Sequence, residues 1–288
     1  MRKAPTYLLT LQAQDRGGIV SGVTSFLSER DGFILDSQQF ADTETGRFFM
    51  RVEFMASGPR FSANVEKLRE EFRPGAERLG LEWSLIEKTT RLKVMIAVSK
   101  GGHCLNDLLY RWSTGDLPVD VTGVIGNHES LRALAEWHRV PFHYLPVDNQ
   151  NRDQQEDRIL QLIDETGSEL LVLARYMQVL SDGLTKALKG RCINIHHSFL
   201  PAFKGAQPYH RAHERGVKLI GATAHYVTAD LDEGPIIEQA VEPVDHRATV
   251  DVMVRIGRHT EAAVLSKAVR AAAERRIFLN GKKTVVFR

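Results

Sequence analysis

The chain has 288 residues, of which 43% are hydrophobic and 26% charged, with a formal net charge of +2 at pH 7. This composition is typical of a globular protein large enough for two domains, and so small a net charge argues against nucleic-acid binding. No stretch approaches the roughly 18 consecutive apolar residues that span a bilayer. Cys104 and Cys192 have no close partner in sequence, which predicts reduced thiols in a soluble, cytoplasmic protein.

The first 87 residues predict a small α/β domain. Apolar side chains recur at helical spacing in two stretches, and the segments between them have strand-like patterns. The resulting order, βαββαβ, is that of a ferredoxin-like sandwich. The predicted elements are a strand at 7–12, a helix from Ile19 that Gly32 ends, strands at 33–40 and 47–55 joined by a hairpin turn at 42–46, a helix at 61–72 and a strand at 81–86.

A polar joint at 87–91 precedes a second predicted domain, 88–288, in which the pattern changes. Its strands are apolar throughout and alternate with helices, which indicates a Rossmann-like parallel sheet covered on both faces. Such sheets bind ligands beyond the carboxyl ends of their strands. The predicted strands are 92–98, 119–125, 142–144, 169–174 and 192–195, and the predicted helices are 102–112, 130–138, 155–166 and 182–188.

A candidate reaction site lies at the end of the last of these strands. Asn194 and His196 are two residues apart in an apolar segment, so their side chains should point to the same side. Pro201 and Gly205 then interrupt the chain, which places the pair at the opening of a loop. Asp232 lies on a downstream turn and completes an acid/base set. These three groups suffice to stabilise an oxyanion and move a proton without a metal.

Two other interpretations concern the histidines. His210 and His213 have the spacing of one helix face and suggest a metal site together with three further histidines, His196, His197 and His225. No cysteine or clustered acid completes a usual zinc set, so we expect neither a metal nor another cofactor. His225 either braces the acid/base set or packs beside the sheet.

Several motifs resemble the formyltransferase family that uses 10-formyltetrahydrofolate. In the second domain they are Ile193–Phe203, Pro208–His210, Gly221–Val227 and Leu231–Pro235. The first domain resembles an ACT domain, a small regulatory module, in its segments 15–20 and 46–51. An ACT domain ahead of a formyltransferase domain is the arrangement of the formyltetrahydrofolate deformylases, and this resemblance covers nearly the whole chain.

The resemblance implies roles for particular residues. Asn194 and His196 would donate to the oxyanion, and Asp232 would activate water. The folate would contact a loop after one strand and a segment near the acidic turn, whereas an amino acid such as glycine or methionine would bind the ACT domain of a homo-oligomer. The implied folate contacts are Met177, Gln178, Val179, Leu180, His225, Thr228 and Leu231, and the implied effector contacts are Asp15, Gly17, Gly18 and Ile19.

The same three catalytic groups serve both hydrolysis of the formyl group and its transfer to an amine such as glycinamide ribonucleotide. The transferases carry a Gly-rich, Asn-containing loop that cradles the acceptor's phosphate after the first strand. Residues 99–106 depart from that pattern, although Gly101 and Gly102 could still form an anion nest. The resemblance therefore favours hydrolysis to tetrahydrofolate and formate, which would supply purine synthesis and balance one-carbon pools. A third hypothesis is a non-catalytic folate or amino-acid sensor, which the presence of all three catalytic groups disfavours.

Overall fold

The computed structural model describes residues 5–148, 150–201 and 208–288. The chain divides into two compact units. The first unit comprises the described residues up to Arg91 together with Val285–Arg288, and the second is Leu92–Thr284. Within the described ranges, no helix is both long and apolar enough to cross a membrane.

The first unit is a four-stranded antiparallel sheet packed on two helices, and its element order is the predicted βαββαβ. The strands are arranged β2-β3-β1-β4. Side chains from one face of the sheet, such as Leu9 and Val52, fill a common core with Val23 and Phe72 from the helices. The elements are β1 (Thr6–Gln14), α1 (Ile19–Glu29), β2 (Gly32–Asp42), β3 (Arg47–Ala56), α2 (Val65–Leu79) and β4 (Glu82–Glu87).

The predicted bounds of both helices in this unit need correction. The first helix already ends at Glu29, and Asp31 adopts a left-handed φ of 56°, so Gly32 begins the next strand instead of ending the helix. The second helix begins at Val65 because Asn64 caps it by accepting from two backbone N–H groups. It also continues through Pro74 to Leu79, beyond the predicted end at 72.

The second unit is built on a seven-stranded sheet with the order β11-β10-β9-β8-β5-β6-β7. The strands β9, β8, β5, β6 and β7 are mutually parallel, and β10 and β11 extend the sheet in antiparallel pairing. The elements are β5 (Leu92–Val98), α3 (His103–Ser113), β6 (Val119–Gly126), α4 (Arg132–Trp137), β7 (Phe142–Tyr144), α5 (Arg152–Thr166), β8 (Leu170–Leu173), α6 (Asp182–Ala187), β9 (Cys192–His196), α7 (Pro208–Glu214), β10 (Leu219–Tyr226), β11 (Ile236–Pro243), α8 (Val250–Ala273) and β12 (Ile277–Asn280). The last strand, β13 (Lys283–Val286), pairs with β12 and ends in residues assigned to the first unit.

The predicted parallel sheet is confirmed for its five apolar strands, but the sequence pattern did not reveal the rest of this unit. Neither the antiparallel strands β10 and β11 nor the 24-residue helix α8 was predicted. The predicted helix 130–138 is a 3-10 turn at Glu129–Leu131 followed by the short α4. The carboxyl ends of β9, β8, β5 and β6 all face one edge, where the following loops gather.

Candidate active site

The end of β9 places two polar side chains at this edge of the sheet. Asn194 and His196 alternate with apolar residues along β9, so they lie on the same face. Antiparallel pairing with β10 sets His225 directly opposite Asn194 and Thr223 opposite His196. His196 is only 4% exposed, although it lies at the wall of a cavity. Of the loop beyond β9, the predicted interruption at Gly205 lies outside the described residues.

Asp232 reaches His196 from the turn between β10 and β11. The Asp232 backbone has a left-handed φ of 57°, which Asp tolerates better than most residues. Gly234 permits this turn, because a Cβ there would lie 1.6 Å from the carbonyl oxygen of Tyr226. The turn brings Asp232 Oδ2 to 3.2 Å from His196 Nδ1. Its other oxygen, Oδ1, is 3.8 Å from His225 Nε2, too far for a hydrogen bond.

His225 orients the amide of Asn194. Its Nδ1 lies 2.9 Å from the carbonyl oxygen of Tyr226, which can only accept, so Nδ1 carries the proton. Burial lowers the pKa of His225, which keeps the ring neutral and makes Nε2 an acceptor. The Nδ2 group of Asn194 lies 3.3 Å from this nitrogen and donates to it. This contact is the one expected of His225 in the first of the two roles considered for it, that of a brace for the acid/base set.

The charges in the site suit Asp232 as a base and the neighbouring His196 as a hydrogen-bond donor. Burial raises the pKa of Asp232, but the hydrogen bond from His196 and the charge of that ring outweigh burial, so the pKa is lowered overall. Asp232 is thus a carboxylate at neutral pH. His196 Nε2 is buried without a hydrogen-bond partner. In the imidazolium form this nitrogen donates, so it and the amide of Asn194 can stabilise a negative oxygen.

These residues line a cavity of about 930 Å³. Beyond the three groups above, its wall includes the loop after β8 and the segment that leads into the acidic turn. Met177 and Val179 are more than half exposed, so apolar surface is open to a flat ligand. Every residue that the family resemblance assigned to folate lines this cavity: Met177, Gln178, Val179, Leu180, His225, Thr228 and Leu231.

A metal ion does not fit the residues that come closest to forming a site. Among the described residues, one group of possible ligands lies within 4.8 Å of one another, namely His103, Cys104 and Glu261. Arg175 Nε is 3.4 Å from the same carboxylate oxygen that His103 contacts, and a guanidinium there opposes a second cation. Burial also raises the pKa of Cys104, which keeps its thiol protonated. The histidine set that includes His210 and His213 forms no such group within the described ranges.

The four residues suggested for an effector lie at the turn between β1 and α1 in the first unit. Asp15, Gly17 and Gly18 are exposed. Gly18 precedes α1 with a φ of 94°, and no side chain caps the helix. The side chain of Ile19 is buried in the core, so only its backbone N–H is available to a ligand.

Comparison with known proteins identifies the family. Residues 92–269 match the formyl transferase family model. The chain is 49% identical to the formyltetrahydrofolate deformylase of Corynebacterium sp. strain P-1, over all of both proteins. The chain belongs to the formyltetrahydrofolate deformylase family. The family member from Bacillus subtilis strain 168 is 46% identical over 97% of this chain and 93% of that protein.

Solved structures separate the deformylase family from the related transferases. The formyltetrahydrofolate deformylase of Burkholderia mallei has a TM-score of 0.94 and 47% identity, and the match covers 99% of this chain and all of the other. Glycinamide ribonucleotide transformylase 1 from Symbiobacterium toebii has a TM-score of 0.65 and 30% identity, and the match covers 69% of this chain and 95% of the transformylase chain. The deformylase likeness therefore extends over residues that the transferase likeness does not reach.

Sequence reasoning missed one buried acid of the cavity, Glu261 on α8. It is 1% exposed and contacts His103, Arg175 and Tyr209. The available signal was an acidic residue inside a helical stretch with buried neighbours at Thr260 and Val264. Because α8 itself was not predicted, that signal could not be recognised.

Proposed function

We propose that this deformylase family member hydrolyses 10-formyltetrahydrofolate to tetrahydrofolate and formate. The observation that carries the proposal is the meeting of Asn194, His196 and Asp232 at one end of a large cavity. Proteins similar to this chain in sequence and in fold bear the name of this activity. Formate made in this way would supply purine synthesis and balance one-carbon pools.

We propose a step for each group, in agreement with the distances in the site. Asp232 Oδ1 lies 3.8 Å from His225 Nε2 and is not hydrogen-bonded to it. This oxygen accepts a proton from water while the water oxygen bonds to the formyl carbon. The carbonyl oxygen becomes an oxyanion that accepts hydrogen bonds from Asn194 Nδ2 and His196 Nε2. When the carbonyl reforms, the carbon–nitrogen bond breaks, and the proton held by Asp232 passes to the departing nitrogen of tetrahydrofolate.

The rate factors that such groups typically contribute support these assigned roles. Loss of one oxyanion donor reduces turnover by roughly 10²–10³-fold, and general base catalysis contributes about 10²–10⁴-fold. The three groups supply both an oxyanion site and a base without a Lewis acid, so we propose that the reaction requires no metal or other cofactor. We place the reaction in the cytoplasm, where the free thiols of Cys104 and Cys192 remain reduced.

Formate release from purified protein tests the function. The protein is incubated with 10-formyltetrahydrofolate, and formate and tetrahydrofolate are measured with and without glycinamide ribonucleotide. Equal amounts of both products without an amine support hydrolysis. Formyl transfer that requires the amine would establish the transferase instead, and no turnover under either condition would leave only a sensor.

We further propose that the protein is a homo-oligomer that pairs through its ACT-like first unit. β2 is one of the two edge strands of the four-stranded sheet. It exposes Phe33, Leu35 and Phe40, and Phe33 is 57% accessible. An edge strand with apolar side chains favours addition of a second strand. Light scattering after size exclusion should give a multiple of the chain mass, and Leu35→Lys should shift it towards the monomer, whereas a monomeric wild-type protein would contradict the proposal.

The same unit suggests an amino-acid effector at the turn before α1. The uncapped helix N-terminus can receive a carboxylate, and the exposed Asp15 can receive an ammonium group. We propose glycine or methionine as the ligand. Calorimetry should detect binding that Asp15→Asn weakens while the rate without effector is unchanged. If neither amino acid binds nor alters the rate, this unit serves assembly alone.

A further inference from the structure

One wall of the cavity, to which we assign the folate contacts, is a loop without helix or strand, residues 175–181, which we call the binding loop. It follows β8 and presents Met177 and Val179 to the cavity. A segment of this kind ordinarily samples several conformations, and ordering it on binding reduces affinity. In this protein, buried polar groups hold the binding loop at both ends.

A carboxylate from α5 holds the end of the binding loop. Glu156 is only 7% exposed, and its Oε1 accepts from the backbone N–H of Ser181 at 2.8 Å. Its Oε2 accepts from the hydroxyl of Ser181. The preceding residue, Gln155, donates to the hydroxyl of Tyr176 at 2.6 Å, inside the binding loop. The first turns of α5 thus contact the binding loop near its beginning and at its end.

A second carboxylate, from α8, holds the start of the binding loop. Arg175 has a left-handed φ of 65°, a conformation that a long side chain adopts only when its surroundings enforce it. Glu261 Oε2 lies 3.4 Å from Arg175 Nε. The buried Ser99 donates its backbone N–H to the Arg175 carbonyl at 3.3 Å, and its hydroxyl accepts from the N–H of Met177 at 2.9 Å.

The surroundings of Glu261 are arranged to keep it charged and fixed. His103 Nε2 and the Tyr209 hydroxyl each donate to it at 2.7 Å. Burial raises the pKa of Glu261, but the hydrogen bond from His103 and the charge of Arg175 outweigh burial and lower it overall. Gly257, one turn earlier on α8, leaves room for Tyr209, because a Cβ there would lie 1.9 Å from the tyrosine hydroxyl.

We propose that Glu156 and Glu261 are positioning residues that hold the binding loop in its folate-binding conformation before the substrate arrives. Neither carboxylate contacts Asn194, His196 or Asp232 in the geometry described above. Their loss should therefore weaken binding of the folate far more than it slows the chemical step. The inference rests on the proposed function, because the folate is the ligand that the loop would recognise.

Glu156 provides the cleaner test, because its partner can be removed independently. Glu156→Gln, Ser181→Ala and the double variant are compared with wild type for kcat, KM and the calorimetric Kd of tetrahydrofolate. We expect each single variant to raise KM and Kd by about tenfold, with kcat within about threefold, since one charge-assisted bond is lost. The double variant should lose less than the sum of the two single losses, because both substitutions remove the contact between the Ser181 hydroxyl and the Glu156 carboxylate. The backbone N–H of Ser181 still reaches residue 156 in Ser181→Ala, and that variant also removes the side-chain cap of α6.

Glu165→Gln is the matched control. Glu165 lies on the same helix, α5, but pairs with Arg158 at its exposed surface. This variant should keep wild-type kcat, KM and Kd. The melting temperature of each variant shows whether it is folded.

Glu261→Gln should raise Kd in the same way and also lower kcat, because Tyr209 packs beside His197, which adjoins His196. If Glu261→Gln does not fold, the variants of Glu156 and Ser181 alone test the proposal. Unchanged KM and Kd in folded Glu156→Gln, or a fall in kcat alone, would overturn the proposal. Absence of formate release by the wild type would instead refute the proposed function, while tetrahydrofolate binding would still test the loop.

Discussion

Asp232 and His196 meet at 3.2 Å although they lie 36 positions apart, because the pairing of β9 with β10 and the turn after β10 fix them independently. The strand register fixes the position of the imidazole, and the left-handed backbone of Asp232 fixes the position of the carboxylate. Only one carboxylate oxygen is used by the imidazole. The other remains available for water, which distinguishes this pair from a purely structural ion pair.

Replacing Asp232 by Asn should abolish formate release and leave folate affinity within a few-fold of wild type. The amide preserves the size of the side chain but cannot take a proton from water, so turnover should fall by at least about 10²-fold. Single-turnover formate release measures the chemical step, and calorimetry with tetrahydrofolate measures affinity. Substantial residual turnover would show that another group activates the water.

Replacing His225 by Gln should lower kcat by about tenfold, because Asn194 loses the neutral acceptor that orients its amide. Asn194→Ala should cost more, roughly 10²–10³-fold, since it removes the oxyanion donor itself. The double variant should be no slower than Asn194→Ala, because His225 acts through Asn194. Fully additive losses in kcat would mean that His225 acts on the substrate directly.

The catalytic strand could be located from sequence because its signal is local. Apolar residues alternate with Asn194 and His196 over five positions, and the alternation itself places both side chains on one face. The parallel strands could be predicted equally well, since strands covered on both faces are apolar throughout. Predictions of this kind require no knowledge of distant residues.

The contacts of Glu261 and Glu156 could not be predicted, because they depend on which helices meet at the cavity. Glu156 lies in a helix whose sequence is largely polar, so nothing marks it as buried. α8 mixes charged residues with a long apolar stripe, and its burial against β9, β10 and β11 is set by tertiary packing. Likewise, the left-handed backbone of Arg175 has no glycine to indicate it.

The free energy of unfolding should fall as the pH drops from about 6.5 towards 4, because buried histidines stay neutral in the folded chain. Burial, with the charges of Arg175 and His196, lowers the pKa of His197 to about 4 from an ordinary value of 6.5. The unfolded chain therefore binds more protons in this range, and stability is lost as the pH falls. For His197 the loss is on the order of 3 kcal/mol, and His225 adds to it. Urea unfolding at several pH values measures the slope.

His197→Asn is the matched comparison for this pH dependence. It removes the titrating ring, so the loss of stability between pH 6.5 and 4 should be smaller than in wild type. The exposed residue His246 serves as a control, and His246→Asn should leave the slope unchanged. An identical slope in wild type and His197→Asn would show that His197 is protonated in the folded state.

Replacing Gly234 by Ala should remove most activity and lower the melting temperature, because the new Cβ would lie 1.6 Å from the Tyr226 carbonyl oxygen. The backbone must move to relieve this overlap, and Asp232, two residues away, moves with it. Gly75→Ala is the control, since its Cβ would meet only the end of the Arg78 side chain at 3.9 Å, and alanine favours the helix there by about 1 kcal/mol. Formate release and thermal unfolding of both variants measure the two effects. Wild-type activity in Gly234→Ala would mean that the turn does not fix the position of Asp232, because the carboxylate would then tolerate a displaced backbone.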